Sequence, residues 1–149
     1  EAYGVDILKV REIRAWESAT RVPNTPDYLV GILNLRGAIV PVVDLRLRFG
    51  LEAIDYQDRT VVIVIAVEGG DHTRVVGMVA DGVADVVELD RTQVKPTPSS
   101  QGRIDSDFIT GLAQVDERVI MLIEHDRLFT ELWDAGVDDA SQSAALPER

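Results

Sequence analysis

Cysteine is absent from this sequence of 149 residues, and aromatic residues make up only 5% of it. Without cysteine the chain can form no disulfide, offer no thiol nucleophile and bind no metal through thiolates. The few aromatic rings leave little for stacking on a sugar or a base. No apolar run approaches the roughly 20 residues of a membrane-spanning helix. We therefore expect no direct membrane insertion, and the composition is compatible with a cytoplasmic location.

Positive charge is also scarce. The formal net charge is −11, and it is unevenly distributed: residues 1–50 hold 7 Lys and Arg against 6 Asp and Glu, whereas residues 51–149 hold 8 against 20. So acidic a chain repels phosphate backbones and anionic lipid surfaces, which argues against nucleic-acid binding. The nearly neutral first third is the part to which other acidic proteins could bind.

Catalytic motifs are missing as well. The two histidines, His72 and His125, have no partner at the spacing of metal ligands, and no phosphate-binding loop or nucleophile elbow is present. Asp81 and Asp85 are the best pair for a two-acid hydrolase, yet they lie beside a turn, where carboxylates commonly bond their own backbone. We expect no enzyme activity, no cofactor and no metal, and we keep an acidic hydrolase as the alternative from another class.

The segment Gly31–Gly50 is the most informative part of the sequence. Apolar and polar residues alternate toward Arg36-Gly37, and an apolar β-branched run follows and stops at Asp44. This pattern predicts two strands joined by a turn. Asp44 is a suitable N-cap for a short helix, and Gly50 a suitable residue to end it.

Arg36 is predicted to lie at the tip of this hairpin. A guanidinium there presents a fork of donors that suits a carboxylate or carbonyls of a partner. Two other interpretations remain open: an ordinary solvated arginine, or an internal salt bridge to Asp44.

The remaining pattern consists of short elements. Helix-like spacing follows Asp6, where Ile7, Val10 and Ile13 are more often core than contact residues, and a second helical turn is predicted at 27–30. The other predicted elements are strands at 60–67, 74–80 and 83–89, a hairpin over 108–124, and a helix capped by Asp126. Many short strands without a βαβ rhythm predict a mainly β protein built as two small barrels of about five strands each.

Several motifs in order resemble one known family along most of the chain. The matching segments are Tyr3-Gly-Val-Asp-Ile7, Thr20-Arg-Val-Pro-Asn-Thr-Pro26, Gly31-Ile-Leu-Asn-Leu-Arg-Gly37, Ile39-Val-Pro-Val-Val-Asp-Leu-Arg46, Thr60-Val-Val-Ile-Val64, Val75-Val-Gly-Met-Val-Ala-Asp-Gly-Val83, Lys95-Pro96 and Thr110-Gly-Leu112. In these the sequence resembles CheW, the adaptor family of bacterial chemotaxis arrays.

The resemblance implies a fold of two five-stranded β-barrels that share a core, with short helices and one C-terminal helix. On this basis residues 1–135 form the domain, with one barrel over roughly 1–66, a second over roughly 67–124 and a helix over 126–135. Residues 136–149 show no hydrophobic periodicity, and their composition predicts a disordered tail. Family members begin with a strand before Tyr3 that is missing here. We therefore expect that the chain is truncated or that another segment fills that sheet edge.

The resemblance also implies a non-catalytic adaptor, recruited in the cytoplasm to receptor arrays. Its expected partners are the hairpin tips of chemoreceptors, the regulatory domain of the histidine kinase CheA and, in rings, other CheW copies. The receptor-binding residues implied are Val10, Glu12, Ile13, Leu35, Arg36 and Val79, in a groove between the barrels. The kinase-binding residues implied are Gly31, Ile39 and Val40. The alternatives within this class are a detached regulatory domain of a CheA-type kinase and the adaptor half of a CheV-type protein.

Overall fold

Two β-sheets form the framework of the part of the chain that the structure describes. The computed structural model describes residues 2–17, 19–52, 55–69, 72–83, 86–96 and 108–130. Its strands are β1 (Ala2–Gly4), β2 (Val10–Ala15), β3 (Leu29–Leu35), β4 (Ala38–Asp44), β5 (Val61–Gly69), β6 (His72–Ala80), β7 (Val94–Lys95), β8 (Ile109–Val115) and β9 (Arg118–Ile123). Short helices are α1 (Leu45–Arg48) and α2 (His125–Leu128), with 3-10 turns at Ile7–Lys9 and Arg91–Gln93.

One sheet has five strands in the order β2-β5-β6-β4-β3, and the other has four in the order β1-β9-β8-β7. Most pairings are antiparallel, and β4–β6 and β1–β9 are parallel. The mainly β class with few helices is thus confirmed; the residues that the structure describes place four strands in the second sheet. The predicted division near residue 66 lies inside β5, which pairs along its length with β6; the division into two barrels stays a prediction.

The two outer strands of the five-stranded sheet approach each other. Thr20, beyond the end of β2, forms an isolated bridge to Ile32 of β3, with N–H···O distances of 3.0 and 2.8 Å. Because β2 and β3 are the two edges, this bridge requires the sheet to curl. The single bridge covers part of the β3 edge, which would otherwise leave backbone groups unpaired.

Two hydrophobic cores result from this arrangement. The core inside the curled sheet, called the sheet core, consists of Leu33, Leu35, Val40, Val42, Val62, Val64 and Val79. The core between the two sheets, called the junction core, consists of Leu29, Val43, Leu45, Phe49, Ile65, Val67, Val76, Met78, Ile109, Ile123, Leu128 and Phe129. Alternate residues of β5 belong to opposite cores, which explains its nearly continuous β-branched sequence.

Several local predictions are confirmed. Asp44 Oδ1 accepts hydrogen bonds from the backbone of Arg46 and Leu47 at the start of α1. Gly50 follows with φ of +78°, and Leu51 N–H donates to the carbonyl of Arg46, the Schellman arrangement that glycine favours. The hairpin β8–β9 turns at Asp116, as its sequence indicates.

Other local predictions are wrong. The helical turn expected at 27–30 is instead the start of β3 at Leu29, and the helix-like spacing after Asp6 gives one 3-10 turn and then β2. Asp6 does cap that turn, by accepting from Leu8 N–H. The strand expected at 83–89 is not formed at the described positions 83 and 86–89.

The predicted C-terminal helix also differs from expectation. Its N-cap is Glu124 and not Asp126, whose Oδ1 instead accepts from Glu68 N–H at the end of β5. The rest of the helix beyond residue 130 and the tail 136–149 lie outside the described residues.

Candidate functional site

The turn between β3 and β4 presents Arg36 to solvent. Arg36 and Gly37 have φ of +53° and +88°, and two consecutive positive values are typical of the tight turns that join antiparallel strands. Gly37 N–H donates to Asn34 Oδ1 at 3.0 Å, which stabilises the turn. The Arg36 side chain is 73% exposed, so the guanidinium projects from a firmly held backbone.

Arg36 does not stand alone at the surface. Its Nη2 donates to Glu12 Oε2 of β2 at 2.5 Å. Glu12 Oε1 also accepts from Arg14 at 3.3 Å, and Arg14 donates in turn to Glu17 at 3.2 Å. These four side chains are called the ionic network. They join the β3–β4 turn to β2, the opposite edge strand of the same sheet.

The network favours the charged forms of Glu12 and Arg14. The hydrogen bond from Arg36, and then that from Arg14, hold the pKa of Glu12 below its ordinary value. The bonds to Glu17 and Glu12 raise the pKa of Arg14. Both groups remain in contact with water, so these shifts report local pairing and carry little folding energy.

The interpretation of Arg36 as a partner of Asp44 is wrong. Asp44 is only 3% exposed, and its two oxygens are used by the α1 cap and by the hydroxyl of Tyr56, which donates to Oδ2 at 2.5 Å. Burial and this bond raise the pKa of Tyr56. Asp44 is therefore a structural residue, and Arg36 pairs with Glu12.

In strand β2 two charged side chains are more buried than the aliphatic side chain between them. The burial of the strand alternates so that Glu12 and Arg14 are half-buried while Ile13 between them is 50% exposed. A register shift between Val10 and Glu12 in the pairing with β5 accompanies this orientation, as β-bulges re-aim the side chains of edge strands. One exposed aliphatic side chain is ordinary on a protein surface, so Ile13 is considered together with the exposed residues of the turn before β2.

The preceding turn adds to this apolar exposure. Ile7 is 53% exposed and Leu8 87%, whereas Val10 packs against the junction core. The expectation that Ile7 and Ile13 are core residues is therefore wrong. Because Ile13 faces one side of β2 while Glu12 and Arg14 face the other, this edge offers apolar and charged contacts to an amphipathic partner.

Gly31 controls how closely the chain approaches the β3 edge. A Cβ built on it would lie 2.7 Å from Ala19 Cβ and 2.7 Å from the carbonyl oxygen of Thr20. These distances are shorter than van der Waals contact, so any side chain here would push away the segment that bridges to Ile32. The glycine is needed for the curled sheet.

Of the nine residues predicted for partner binding, eight lie on strands of the five-stranded sheet and Arg36 lies in the turn between β3 and β4. The nine fall into two groups. Val10, Glu12, Ile13, Arg36 and Ile39 are exposed or half-buried. Gly31, Leu35, Val40 and Val79 are buried, so they support the surface from beneath. Their contacts with partners stay predictions.

Three residues in and beside β2 were not predicted from the sequence as part of the candidate site: Leu8, Arg14 and Glu17. Interpreting residues 10–15 with a period of two rather than as a helix would have placed Glu12 and Arg14 on one face and Ile13 on the other. No local signal indicates that Arg36 lies beside Glu12, because that contact depends on how the sheet curls.

The acidic pair of the hydrolase alternative finds no support. Asp81 borders a cleft of about 20 Å³ lined also by Asp55, Gln57, Arg59 and Thr60, which is room for a single water molecule. Asp85 lies outside the described residues. Among the described residues no three acidic or histidine side chains are placed to hold a metal ion, and no helix there is long and apolar enough to cross a membrane.

The two histidines lie in different parts of the fold. His125 is 8% exposed, and its Nδ1 lies 3.0 Å from Asp126 Oδ1, within hydrogen-bond distance, so it belongs to the junction between β9 and α2. His72 begins β6.

Comparisons with known proteins agree with this architecture. The family model described as the CheW-like domain matches residues 1–132. A chemotaxis protein CheW of Klebsiella aerogenes is 42% identical over 143 residues, which is 96% of this chain and 84% of the relative. A chemotaxis protein CheW of Bacillus subtilis is 27% identical over 147 residues, covering 99% of this chain and 86% of the relative.

A solved structure and a more distant relative complete the comparison. The scaffolding protein TtCheW from Thermoanaerobacter tengcongensis superposes with a TM-score of 0.77 at 35% identity and covers 85% of this chain and 84% of its own. The chemotaxis protein CheV3 of Helicobacter pylori is 21% identical, and the match covers 42% of it. Because the CheW relative of Klebsiella aerogenes is more similar and is covered to 84% of its length, neither a CheV-type half nor a detached kinase domain is favoured. The match of the family model over 132 residues, the identity of 42% and the shared two-sheet fold show that the chain belongs to the CheW-like family.

Proposed function

We propose that this protein is a non-catalytic adaptor of bacterial chemotaxis signalling that couples chemoreceptor tips to the histidine kinase CheA. The family consists of scaffolds in chemotaxis, and that coarse function applies to this chain through its membership. The specific partners, and recruitment from the cytoplasm to a membrane-associated array, are the proposed part.

The proposed receptor contact is the β2 edge. The single observation that supports it most is Ile13, which is 50% exposed on the face of β2 opposite to the Glu12–Arg36 ion pair. An amphipathic receptor helix that runs along this edge could lay its apolar stripe on Ile7, Leu8 and Ile13. Arg36, which Glu12 holds on the other face of β2, would contact such a helix from the rim of the edge. We place the kinase contact on β3 and β4, where Ile39 is half-buried.

Weak contacts suit such an adaptor. An interface built on a few aliphatic side chains and one exposed arginine is expected to bind weakly as a single copy. Repetition in an array raises the effective affinity without new contacts. The predicted CheW–CheW contacts of a ring would act in the same way.

The experiment is co-sedimentation with receptor-tip fragments and kinase, separately and together. We expect Ile13→Ser to reduce receptor binding at least tenfold, because an aliphatic contact worth about 1.4 kcal/mol or more is lost. Val119→Ser is the matched control, since Val119 on β9 is exposed to a similar degree, 56% against 50%. Equal binding by the two variants would contradict the proposed surface.

A charge exchange then separates the two roles of Arg36. Arg36→Glu alone places two carboxylates together at Glu12 and should reduce receptor binding with little change in melting temperature. If the combined Arg36→Glu and Glu12→Arg variant regains binding, the arginine acts through its ion pair. If it does not, the guanidinium contacts the receptor itself.

A further inference from the structure

Aromatic side chains are concentrated where the two sheets meet. Of the seven aromatic residues in the described part of the chain, five lie in the junction core or pack against it: Tyr3, Tyr28, Phe49, Phe108 and Phe129. In a sequence with so few rings, this grouping points to a defined geometry rather than to simple filling of space.

Arg48, the last residue of α1, lies among these rings. Its guanidinium carbon is 4.0 Å from the centroid of Phe108 and 4.6 Å from that of Tyr28. Its Nε donates to the carbonyl oxygen of Leu128 at 3.2 Å. One side chain thus contacts the segment before β3, the segment before β8 and the end of α2.

The chemistry of these contacts is particular to arginine. A planar guanidinium can lie over aromatic faces and still donate in its own plane, whereas the ammonium of lysine is a compact point charge. The carbonyl of Leu128, at the end of α2, accepts the hydrogen bond from Arg48, which ends the helix that follows β4 of the five-stranded sheet.

The neighbouring residue extends the same arrangement. The ring of Phe49 lies 5.3 Å from that of Tyr3 on β1 and 6.3 Å from that of Phe108. Arg48 ends α1 and Phe49 is its C-cap; Asp44 caps the other end, and the backbone of Gly50 donates to the carbonyl of Leu47. A rigid turn of the five-stranded sheet therefore contacts three separate segments on the side of the four-stranded sheet.

We propose that Arg48 is a positioning residue, a clamp that holds the four-stranded sheet and α2 in a fixed orientation against the five-stranded sheet. The two sheets then behave as one rigid body. An adaptor that binds two proteins at once requires such a fixed orientation. The clamp lies apart from the ionic network and does not depend on which partners bind.

Amide hydrogen exchange on the full chain under native conditions tests the clamp. We expect Arg48→Met to accelerate exchange roughly tenfold at the amides of Glu124 and Leu128, which bond to the carbonyls of Phe108 and Glu124. Amides of β4, inside the five-stranded sheet, should keep their protection. Arg48→Lys, which retains the charge but not the planar contacts, should give an intermediate acceleration.

Arg46→Met is the matched control. Arg46 lies on the same helix, and its Nε donates to the carbonyl oxygen of Glu52 at 2.8 Å, within the five-stranded part of the chain. It should leave exchange at Glu124 and Leu128 unchanged. The proposal is overturned if Arg48→Met produces no acceleration there, if β4 accelerates equally, or if Arg46→Met has the same effect.

Discussion

Two arginines twelve positions apart illustrate how differently this chain uses one side chain. Arg36 projects from a turn, 73% exposed, and pairs with Glu12. Arg48 lies over two aromatic rings between the sheets and donates to a buried helix end. The first contact is screened by water and is weak for stability, and the second is held among packed rings, where cation–π attraction is stronger.

The same contrast holds for the regions around them. The β2 edge exposes aliphatic side chains and holds its charges in a network that a partner can reach. The junction core buries its large side chains completely, including Phe129, Leu29, Ile65 and Met78. Stability should therefore depend on the junction and partner binding on the edge, and substitutions can test whether the two properties separate in this way.

The largest expected effect is at the junction. Phe129→Ala removes a ring that is 0% exposed and should lower the free energy of unfolding by about 3–5 kcal/mol, because both burial and packing are lost. Urea denaturation followed by circular dichroism measures it. Val119→Ala, at a site 56% exposed, should change the free energy of unfolding by no more than about 0.5 kcal/mol. A similar loss of stability in both variants would contradict the view that stability depends on the junction core.

A smaller loss is expected where the five-stranded sheet closes. Gly31→Ala forces a methyl group to 2.7 Å from Ala19 and from the Thr20 carbonyl, at a φ of +154°. We expect a loss of about 1–3 kcal/mol, since backbone must move. Thermal unfolding, together with the exchange rate of the Ile32 amide, measures stability and the bridge at once.

Two other glycines separate the causes of that loss. Gly37 has a φ of +88° and no atom within 4 Å of where a methyl group would lie, and Gly82 has open space and no positive φ. Gly37→Ala should therefore show conformational strain alone, and Gly82→Ala neither effect. A Gly31→Ala loss no larger than that of Gly37→Ala would mean that the close approach is unimportant.

Much of the fold could be predicted because it depends on local patterns. The hairpin at Arg36-Gly37, the α1 cap at Asp44 and the β8–β9 turn are all encoded within a few residues of where they form. The wrong helical turn at 27–30 has a different cause. Leu29 and its neighbours are helix-compatible locally, and their pairing with β4 decides the outcome.

The candidate site was only partly predictable for a related reason. Arg36 could be placed at a turn from sequence, but its partner Glu12 is 24 positions away and on the opposite edge of the sheet. Likewise, nothing near Arg48 in the sequence indicates that Phe108 lies over it. Contacts that depend on how sheets curl and pack have no local signature.

A small effect on stability is expected from the ion pair of Glu12 at the β2 edge. The pKa of Glu12 is lowered in the folded protein, chiefly by the hydrogen bond from Arg36. A carboxyl group with a lowered folded pKa adds stability that is fully present above its unfolded pKa of about 4.5 and is lost as the pH falls through the folded value. At neutral pH the ion pair is therefore intact.

Glu12→Gln removes this contribution at every pH. The melting temperature of the variant should lie slightly below that of the native protein at pH 7, and the difference should vanish once the pH has fallen below the lowered pKa of Glu12. Taking the difference between two proteins cancels the other carboxylates, and Glu117→Gln, outside the ionic network, is the matched control. If the difference in melting temperature persisted unchanged at acidic pH, Glu12 would act through packing and not through its charge. The β2 edge would then contribute to stability by packing, as the junction core does.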